Sequence, residues 1–270
     1  MRKNWCRKGI GRTFLFAFLM TMMAKNAVAA LPFITEDADT LGKGTSQIEL
    51  WYTRSSDKES VDGFVVKTDD NLPGATFGYG MADPLDLSIG VARGWGKVTV
   101  DGASSNDPGS ALFTLSAKWR LYENEITGHH FAVKPMVGYS YLVGGTSADH
   151  TVSLGGWLLA TKEHDSFAVS LNVGYFYNDY GSAADRDVTR SSIWIVTALA
   201  TYEVLKGLKL GCDVGASTNE DKTDSTIPAY ALAGAIYTLN ENVDLSLGIK
   251  FGITKPVPDY AGNAGITIRF

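Results

Sequence analysis

Cysteine is scarce in this chain of 270 residues, which contains only Cys6 and Cys212. Cys6 lies in an N-terminal leader, so removal of the leader leaves one cysteine and excludes an intramolecular disulfide. Histidine is also rare, at four residues, and neither a Gly-x-Ser-x-Gly motif nor a catalytic cysteine arrangement occurs. These absences argue against a disulfide-stabilised scaffold and against the common nucleophilic hydrolases.

Basic residues are outnumbered, with 24 Lys and Arg against 29 Asp and Glu. Six of the basic residues fall within residues 1–29, where no acidic residue occurs. The remaining chain is therefore strongly acidic, which excludes a nucleic-acid partner because such partners require a basic surface.

Long apolar runs are missing except near the N-terminus. A basic stretch is followed by an apolar run over residues 13–23 and by the small residues Ala27-Val28-Ala29. The run is shorter than the roughly 20 residues of a spanning helix. The pattern is typical of a secretory signal peptide over residues 1–29, cleaved after Ala29 or one residue later.

Although no spanning helix is present, 45% of the chain is hydrophobic. Residues 243–254 alternate strictly, with Val243, Leu245 and Leu247 beginning one face and Asp244 and Ser246 beginning the other. Alternation over about 10 residues is typical of a tilted strand that crosses a membrane. A membrane chain without a spanning helix must form a closed barrel, since lipid satisfies no open backbone groups.

The pattern predicts an all-β fold, an antiparallel transmembrane β-barrel of about 12 strands over residues 46–270. The final strand ends in Phe270, the usual close of an outer-membrane barrel and the element through which we expect the barrel-assembly machinery to bind. Short and long connections alternate, which places both termini in the periplasm. The predicted strands are 46–54, 73–81, 85–95, 110–122, 130–142, 150–161, 166–178, 191–204, 207–217, 228–239, 242–254 and 263–270.

Aromatic residues favour this barrel over a soluble β-sandwich, because they fall near both ends of the predicted strands. Three local features are less regular. Gly155-Gly156-Trp157 indicates a change of parity and a bulge, Pro135 predicts a bulge or distortion, and Phe64-Val65-Val66 could extend a hairpin above the membrane.

Charged residues on the polar strand faces are the candidate site. In a barrel they must face the lumen, since Lys or Arg on the lipid face costs roughly 2–4 kcal/mol at mid-membrane. They would form either a mixed-charge pore lining or a salt-bridge network that fills the barrel; twelve strands favour the pore. The candidates are Glu49, Asp86, Lys118, Arg120, Lys134, Glu203, Lys209, Asp213, Asp244, Lys250 and Arg269.

Other chemistry is weakly indicated. His129 and His130 form a pair in a predicted turn, where we expect solvated side chains and no metal. No cofactor is implied. No Ser lies on a strand face with a His at the same depth in the barrel, so an enzyme is not indicated. The acidic outer loops are expected to be solvated loop tips, or to bind cations that bridge them to lipopolysaccharide. Lipopolysaccharide and outer-membrane lipid are expected to surround the barrel.

Residues 30–45 are polar, contain Gly and Pro, and do not alternate, so they form either a flexible periplasmic lead-in or a partial plug. The opening Pro32-Phe33-Ile34-Thr35 and Gly42-Lys43-Gly44, with Leu72-Pro73-Gly74 and Tyr79-Gly80 further on, resembles the MetA-pathway of phenol degradation family of outer-membrane proteins. The resemblance implies passive passage of small, often aromatic or hydrophobic, compounds. The alternative is a closed structural or interaction barrel that displays its extracellular loops.

Overall fold

The computed structural model describes residues 31–61 and 63–270, so the expected leader lies outside the described residues. The strands and the one helix of this described part are β1 Ser46–Val61, β2 Phe64–Ala82, β3 Leu85–Arg93, β4 Trp95–Val100, β5 Ala103–Asp107, β6 Ser110–Asn124, β7 His129–Leu142, β8 His150–His164, β9 Phe167–Tyr180, α1 Ala183–Val188, β10 Ser192–Leu205, β11 Leu208–Ser217, β12 Ala229–Asn240, β13 Val243–Gly252 and β14 Tyr260–Arg269. In this part, no helix is long and apolar enough to cross a membrane.

Twelve of the strands form one closed antiparallel barrel, which confirms the predicted fold class and strand number. Sequential neighbours pair around the ring, and β1 closes it by pairing with both β2 and β14. At this seam the Ser46 N–H donates to the carbonyl of Phe270 at 2.8 Å, and the Phe270 N–H donates back at 3.0 Å. The C-terminal aromatic therefore lies at the end of the barrel where the first strand begins.

The alternation seen in the sequence becomes an apolar outside and a largely polar inside. On β13, Leu247 and Ile249 are 66% and 45% exposed, whereas Ser246 and Lys250 on either side of them are 6% and 4% exposed. An exposed apolar band around a closed barrel is the surface that lipid requires. Aromatic side chains stand outward near both rims; they are Trp119, Tyr139, Tyr141, Tyr175, Tyr177, Trp194, Tyr202, Tyr237 and Phe270.

The two ends of the barrel differ in their connections. The terminal end, which carries Ser46 and Phe270, has the tight turns 83–84, 125–128, 165–166, 206–207 and 241–242. The opposite end, here called the loop end, has longer connections, including residues 143–149, 181–191, 218–228 and 253–259.

At the loop end, two segments that were expected to be loops are extended strands. The β1–β2 hairpin continues to Val61 and Phe64, in agreement with the extension suggested by residues 64–66. The hairpin of β4 and β5, which the sequence did not predict, adds to β2 through Val66↔Val100 to Asn71↔Trp95. These strands form a small sheet that projects from one side of the barrel.

Two longer connections fold together over another part of the loop end. The Arg190 guanidinium donates to the carbonyls of Asn219 at 2.7 Å, Asp224 at 3.1 Å and Lys222 at 3.2 Å. The N–H of Lys222 donates to the carbonyl of Val188 at the end of α1, at 2.9 Å. Residues 181–191 and 218–228 thus form a joined lid, which we call the loop lid.

One local expectation needs correction, and a second is confirmed in part. The bulge predicted at Gly155-Gly156-Trp157 is wrong, because β8 keeps an unbroken register with both β7 and β9. Parity is kept because Trp157 points inward, where it is 3% exposed. Pro135 causes no bulge against β8, but the expected distortion is present on its other side. Its missing N–H coincides with a gap in pairing to β6 between Ser116↔Met136 and Trp119↔Val133.

Candidate functional site

The candidate site is the interior of the barrel, where most of the eleven predicted lumen residues are secluded. Five are at most 5% exposed, namely Glu49, Asp86, Lys134, Asp213 and Lys250. Three have side chains that are 11–17% exposed, namely Lys118, Asp244 and Arg120. The remaining three are more open: Arg269 and Glu203 are partly exposed, and Lys209 is exposed.

Several of these charges bind groups of the wall. Arg269 Nη2 lies 2.6 Å from Asp244 Oδ2, and Arg120 Nη2 lies 2.8 Å from Glu123 Oε2. The Glu203 carboxylate accepts the N–H of Gly207 at 2.9 Å in the turn that follows β10. The first pair joins β14 to β13, the second lies within β6, and the third stabilises the turn after β10.

Four of the other inward charges, Asp86, Lys118, Lys134 and Asp213, bind residues 31–45, which run inside the barrel before β1 begins. We call these residues the N-terminal segment. Its Glu36 carboxylate lies between two lysines, with Oε1 2.8 Å from Lys118 Nζ and Oε2 2.6 Å from Lys134 Nζ. Lys118 also donates to the carbonyl of Asp39 at 2.7 Å. Glu36 is 5% exposed, so the ion pairs are shielded from bulk water.

Asp213 of β11 fixes the next part of the N-terminal segment. Its carboxylate accepts the N–H groups of Ile34 at 2.6 Å and Thr35 at 2.8 Å, and the Thr35 hydroxyl at 2.9 Å. Tyr230 of β12 donates its hydroxyl to the same carboxylate at 3.0 Å. A single wall carboxylate thus satisfies two backbone donors that have no secondary structure to bind them.

The first residues of the segment lie flat on inward-facing glycines of β11 to β14. A Cβ on Gly211 would lie 2.5 Å from the Phe33 ring, and one on Gly234 would lie 2.6 Å from Pro32 Cγ. A Cβ on Gly265 would lie 2.6 Å from Leu31 Cδ1. Only glycine leaves room for this close approach, so the wall is shaped to receive the segment.

Toward the terminal end the segment follows the opposite wall. The N–H of Leu41 donates to Asp86 Oδ2 at 2.9 Å, and the Thr40 hydroxyl donates to the carbonyl of Asp83 at 2.6 Å. His130 Nδ1 lies 2.7 Å from Asp39 Oδ1. His130 is 6% exposed, so the expectation of a solvated turn residue is wrong for this histidine.

A mixed cavity of about 90 Å³ remains beside the segment. Phe33, Trp51 and Leu72 give it apolar walls, while Glu49, Lys250 and Asn263 bring polar groups to it. The side-chain amide nitrogen of Asn263 donates to the carbonyl of Pro32 at 3.0 Å, so the segment forms one wall of the cavity. A molecule in this cavity would touch both the barrel and the N-terminal segment.

An apolar cluster occupies the interior on the side of β7 to β10. It consists of Ala38 of the segment with Ala132, Met136, Trp157, Leu159, Phe176, Ile193 and Ile195 of the wall. Alternation did not predict this cluster, because the apolar inward residues of β8 indicated a break in parity. The inward face of β8 could have been found by continuing a strict period of two through the strand. That face consists of Thr151, Ser153, Trp157, Leu159 and Thr161.

The described residues contain no group of three or more His, Cys, Asp or Glu side chains arranged to hold a metal ion. The interior presents charged groups, hydrogen-bonding groups and apolar side chains. A closed barrel with an apolar outside, aromatic rims and a charged interior defines the class of outer-membrane β-barrels.

Comparison with known families identifies the group within that class. The family model described as "Putative MetA-pathway of phenol degradation" matches residues 32–270. The chain belongs to this family, as the resemblance of its opening residues had indicated. No curated protein matches the sequence.

Solved structures with the same fold are outer-membrane barrels. The COG4313 outer membrane channel from Pseudomonas putida F1 has a TM-score of 0.64 at 15% identity, over 87% of this chain and 98% of that one. The translocator domain of autotransporter NalP from Neisseria meningitidis has a TM-score of 0.57 at 13% identity, over 96% of this chain and 98% of that one. The KdgM porin in complex with disordered oligogalacturonate has a TM-score of 0.54 at 11% identity, over 82% of this chain and 99% of that one. At these identities the likeness concerns the fold.

Proposed function

We propose that the protein is an outer-membrane channel for the passive passage of small molecules, in which the N-terminal segment narrows the lumen. The observation that carries this proposal is the way the segment is held. Its contacts to Lys118, Lys134 and Asp213 are non-covalent, and a cavity of about 90 Å³ already lies beside it. A segment held in this way can shift without unfolding the barrel.

The size of the barrel supports a passage. Side chains alone fill the interior of barrels with about eight strands, and wider barrels enclose space for a ligand or channel. Here twelve strands enclose the segment and the apolar cluster as well as wall side chains. Displacement of the segment would leave a lumen lined by the predicted charged residues.

The solutes that we propose are small compounds, including aromatic or hydrophobic ones. The family description refers to phenol degradation, and the cavity joins the apolar Phe33, Trp51 and Leu72 to the polar Glu49 and Lys250. A ring that carries one polar group matches such a surface, because apolar walls bind the ring and a few polar groups orient it. The proposal involves no enzymatic step, and channels and porins are among the proteins of similar fold.

The alternative of a closed barrel that displays its loops also has an observation in its favour. The loop lid covers part of one end, and the N-terminal segment occupies part of the interior. In either case we propose that both termini face the periplasm, that lipid and lipopolysaccharide surround the barrel, and that its assembly uses the C-terminal strand ending in Phe270.

Conductance distinguishes the two candidates. Mature protein would be refolded, shown to be inserted, and measured in a planar bilayer beside the double variant Lys118→Glu/Arg120→Glu. A channel gives steady conductance whose ion selectivity shifts in the variant, because two cations of the lumen become anions. Inserted protein that shows no conductance, including after deletion of residues 31–43, would rule out the channel and leave the closed barrel.

A further inference from the structure

Two buried lysines of the wall share a single carboxylate that does not belong to the wall. Lys118 of β6 and Lys134 of β7 lie on neighbouring strands and both bind Glu36 of the N-terminal segment, at 2.8 Å and 2.6 Å. Charge-assisted bonds from ammonium to carboxylate are among the stronger hydrogen bonds in proteins. The two lysines therefore form a site for one carboxylate, and the chain itself supplies the occupant.

The surroundings of the lysine pair are apolar on the side of Lys134, whereas Lys118 stands opposite Asp86 of β3. Ala132 and Met136 flank Lys134 on the inward face of β7, and Trp157 stands directly opposite Lys134 on β8. Ala38 of the segment packs against this cluster. Withdrawal of residues 36–38 would uncover the two ammonium groups and the apolar surface next to them at the same time.

We infer that the lysine pair and its apolar wall form a binding site for small carboxylates, in particular those attached to an aromatic ring, and that Glu36 and Ala38 occupy this site in the absence of solute. The incoming carboxylate replaces that of Glu36, and the ring takes the place of Ala38 against Met136 and Trp157. Solute binding thereby displaces the segment and widens the lumen. This inference rests on the proposed channel function and names a class of solute that opens it.

Charge explains why the site selects an anion. When the segment leaves, Lys118 loses the carboxylates of Glu36 and Asp37 and the carbonyl of Asp39 together. A neutral alcohol does not replace the negative charge that leaves with the segment. A carboxylate restores the lost pairing with the same oxygen geometry that Glu36 provides.

The test compares benzoate with benzyl alcohol, which carries the same ring without the charge. Binding of each to the refolded mature protein would be measured by calorimetry for wild type, Glu36→Gln and Lys134→Met. Glu36→Gln removes the internal competitor, so the affinity for benzoate is expected to rise about tenfold or more while that for benzyl alcohol stays the same. Lys134→Met is expected to abolish the benzoate signal, also when combined with Glu36→Gln.

The matched control is Glu123→Gln, which removes a carboxylate that pairs with Arg120 at 2.8 Å instead of with the lysines. It should leave the benzoate affinity unchanged, whereas an equal rise in this variant would show a general effect of charge and overturn the site. Equal responses to benzoate and benzyl alcohol, or no benzoate binding by Glu36→Gln that migrates as a folded barrel, would also overturn it. Conductance of the same samples separates the two proposals: conductance without benzoate binding removes only the site, and binding without conductance removes the channel.

Discussion

The Oε2 atom of Glu36 lies 2.6 Å from the Nζ atom of Lys134, although 98 residues separate the two in the sequence. Their side chains are 6% and 2% exposed, so the ion pair is shielded from bulk water. Breaking a buried pair by removing one partner typically costs about 3–5 kcal/mol. The segment that precedes the first strand is consequently held inside the barrel by a buried ion pair in addition to its hydrogen bonds.

Asp213→Ala is predicted to loosen the N-terminal segment. The change leaves the buried N–H groups of Ile34 and Thr35 without their acceptor, at a cost of roughly 1–3 kcal/mol for each unsatisfied group. We expect the single-channel conductance in planar bilayers to increase, since the segment spends more time away from the wall.

Asp244→Asn is the control for this increase, because Asp244 is an inward carboxylate that binds Arg269 of the wall. A rise in conductance of the same size in both variants would show that loss of any lumen carboxylate is enough to increase the conductance. The specific role assigned to Asp213 would then be incorrect.

Gly234→Ala is predicted to displace the start of the segment, because the added Cβ would lie 2.6 Å from Pro32 Cγ and 3.0 Å from the Phe33 ring. The readout is thiol labelling of Ala38→Cys in a Cys212→Ala background, since Ala38 is fully buried. Labelling by a water-soluble reagent should be slow in the parent and faster after Gly234→Ala.

Gly262→Ala provides the comparison, as a Cβ at this position meets no atom within 4 Å. It should leave the labelling rate of the residue-38 thiol as in the parent. Fast labelling in the parent itself would contradict the packing of Ala38 inside the barrel.

The barrel could be predicted from the sequence because its signal is local. Each strand has one face toward lipid and one toward the interior, so side chains such as Leu247 and Ser246 report their environment through alternation alone. Strand ends at the loop end were less well predicted: β4 and β5 lie above the barrel, where no apolar face toward lipid is required.

The arrangement of the interior could not be predicted in the same way. Alternation predicts an inward strand face for Asp213, Lys118 and Lys134, yet nothing near them in sequence shows that their partners are Thr35 and Glu36. Those contacts depend on the path of a segment without regular structure. Polar composition and Gly and Pro residues are equally compatible with a free tail.

Trp157→Ala is predicted to destabilise the barrel, which tests the inward direction that the sequence analysis missed. Trp157 is 3% exposed and packs edge-on against Phe176, with ring centroids 5.5 Å apart. Truncation of a buried Trp typically costs about 3–5 kcal/mol. The free energy of unfolding would be measured by denaturant titration of protein refolded into lipid vesicles.

Trp194→Ala is the matched substitution, because Trp194 stands on the outer face and is 57% exposed. Its cost should be clearly smaller than that of Trp157→Ala. The reverse order would mean that Trp157 faces lipid and that β8 does contain a change of parity.

Arg190→Ala is predicted to open the loop lid. Its guanidinium holds the carbonyls of Asn219, Lys222 and Asp224, and hydrogen bonds from a charged group contribute roughly 1.5–3 kcal/mol each. Loss of these bonds raises the population of the open loop, so trypsin should cleave after the exposed Lys222 about tenfold faster or more.

Arg186→Ala is the control, since its guanidinium binds the carbonyl of Tyr180 at 2.6 Å, on its own side of the lid. Because residues 218–228 keep all their bonds to Arg190 in that variant, cleavage there should match wild type; equal acceleration by both substitutions would show that the lid is held by α1 as a whole instead of by Arg190.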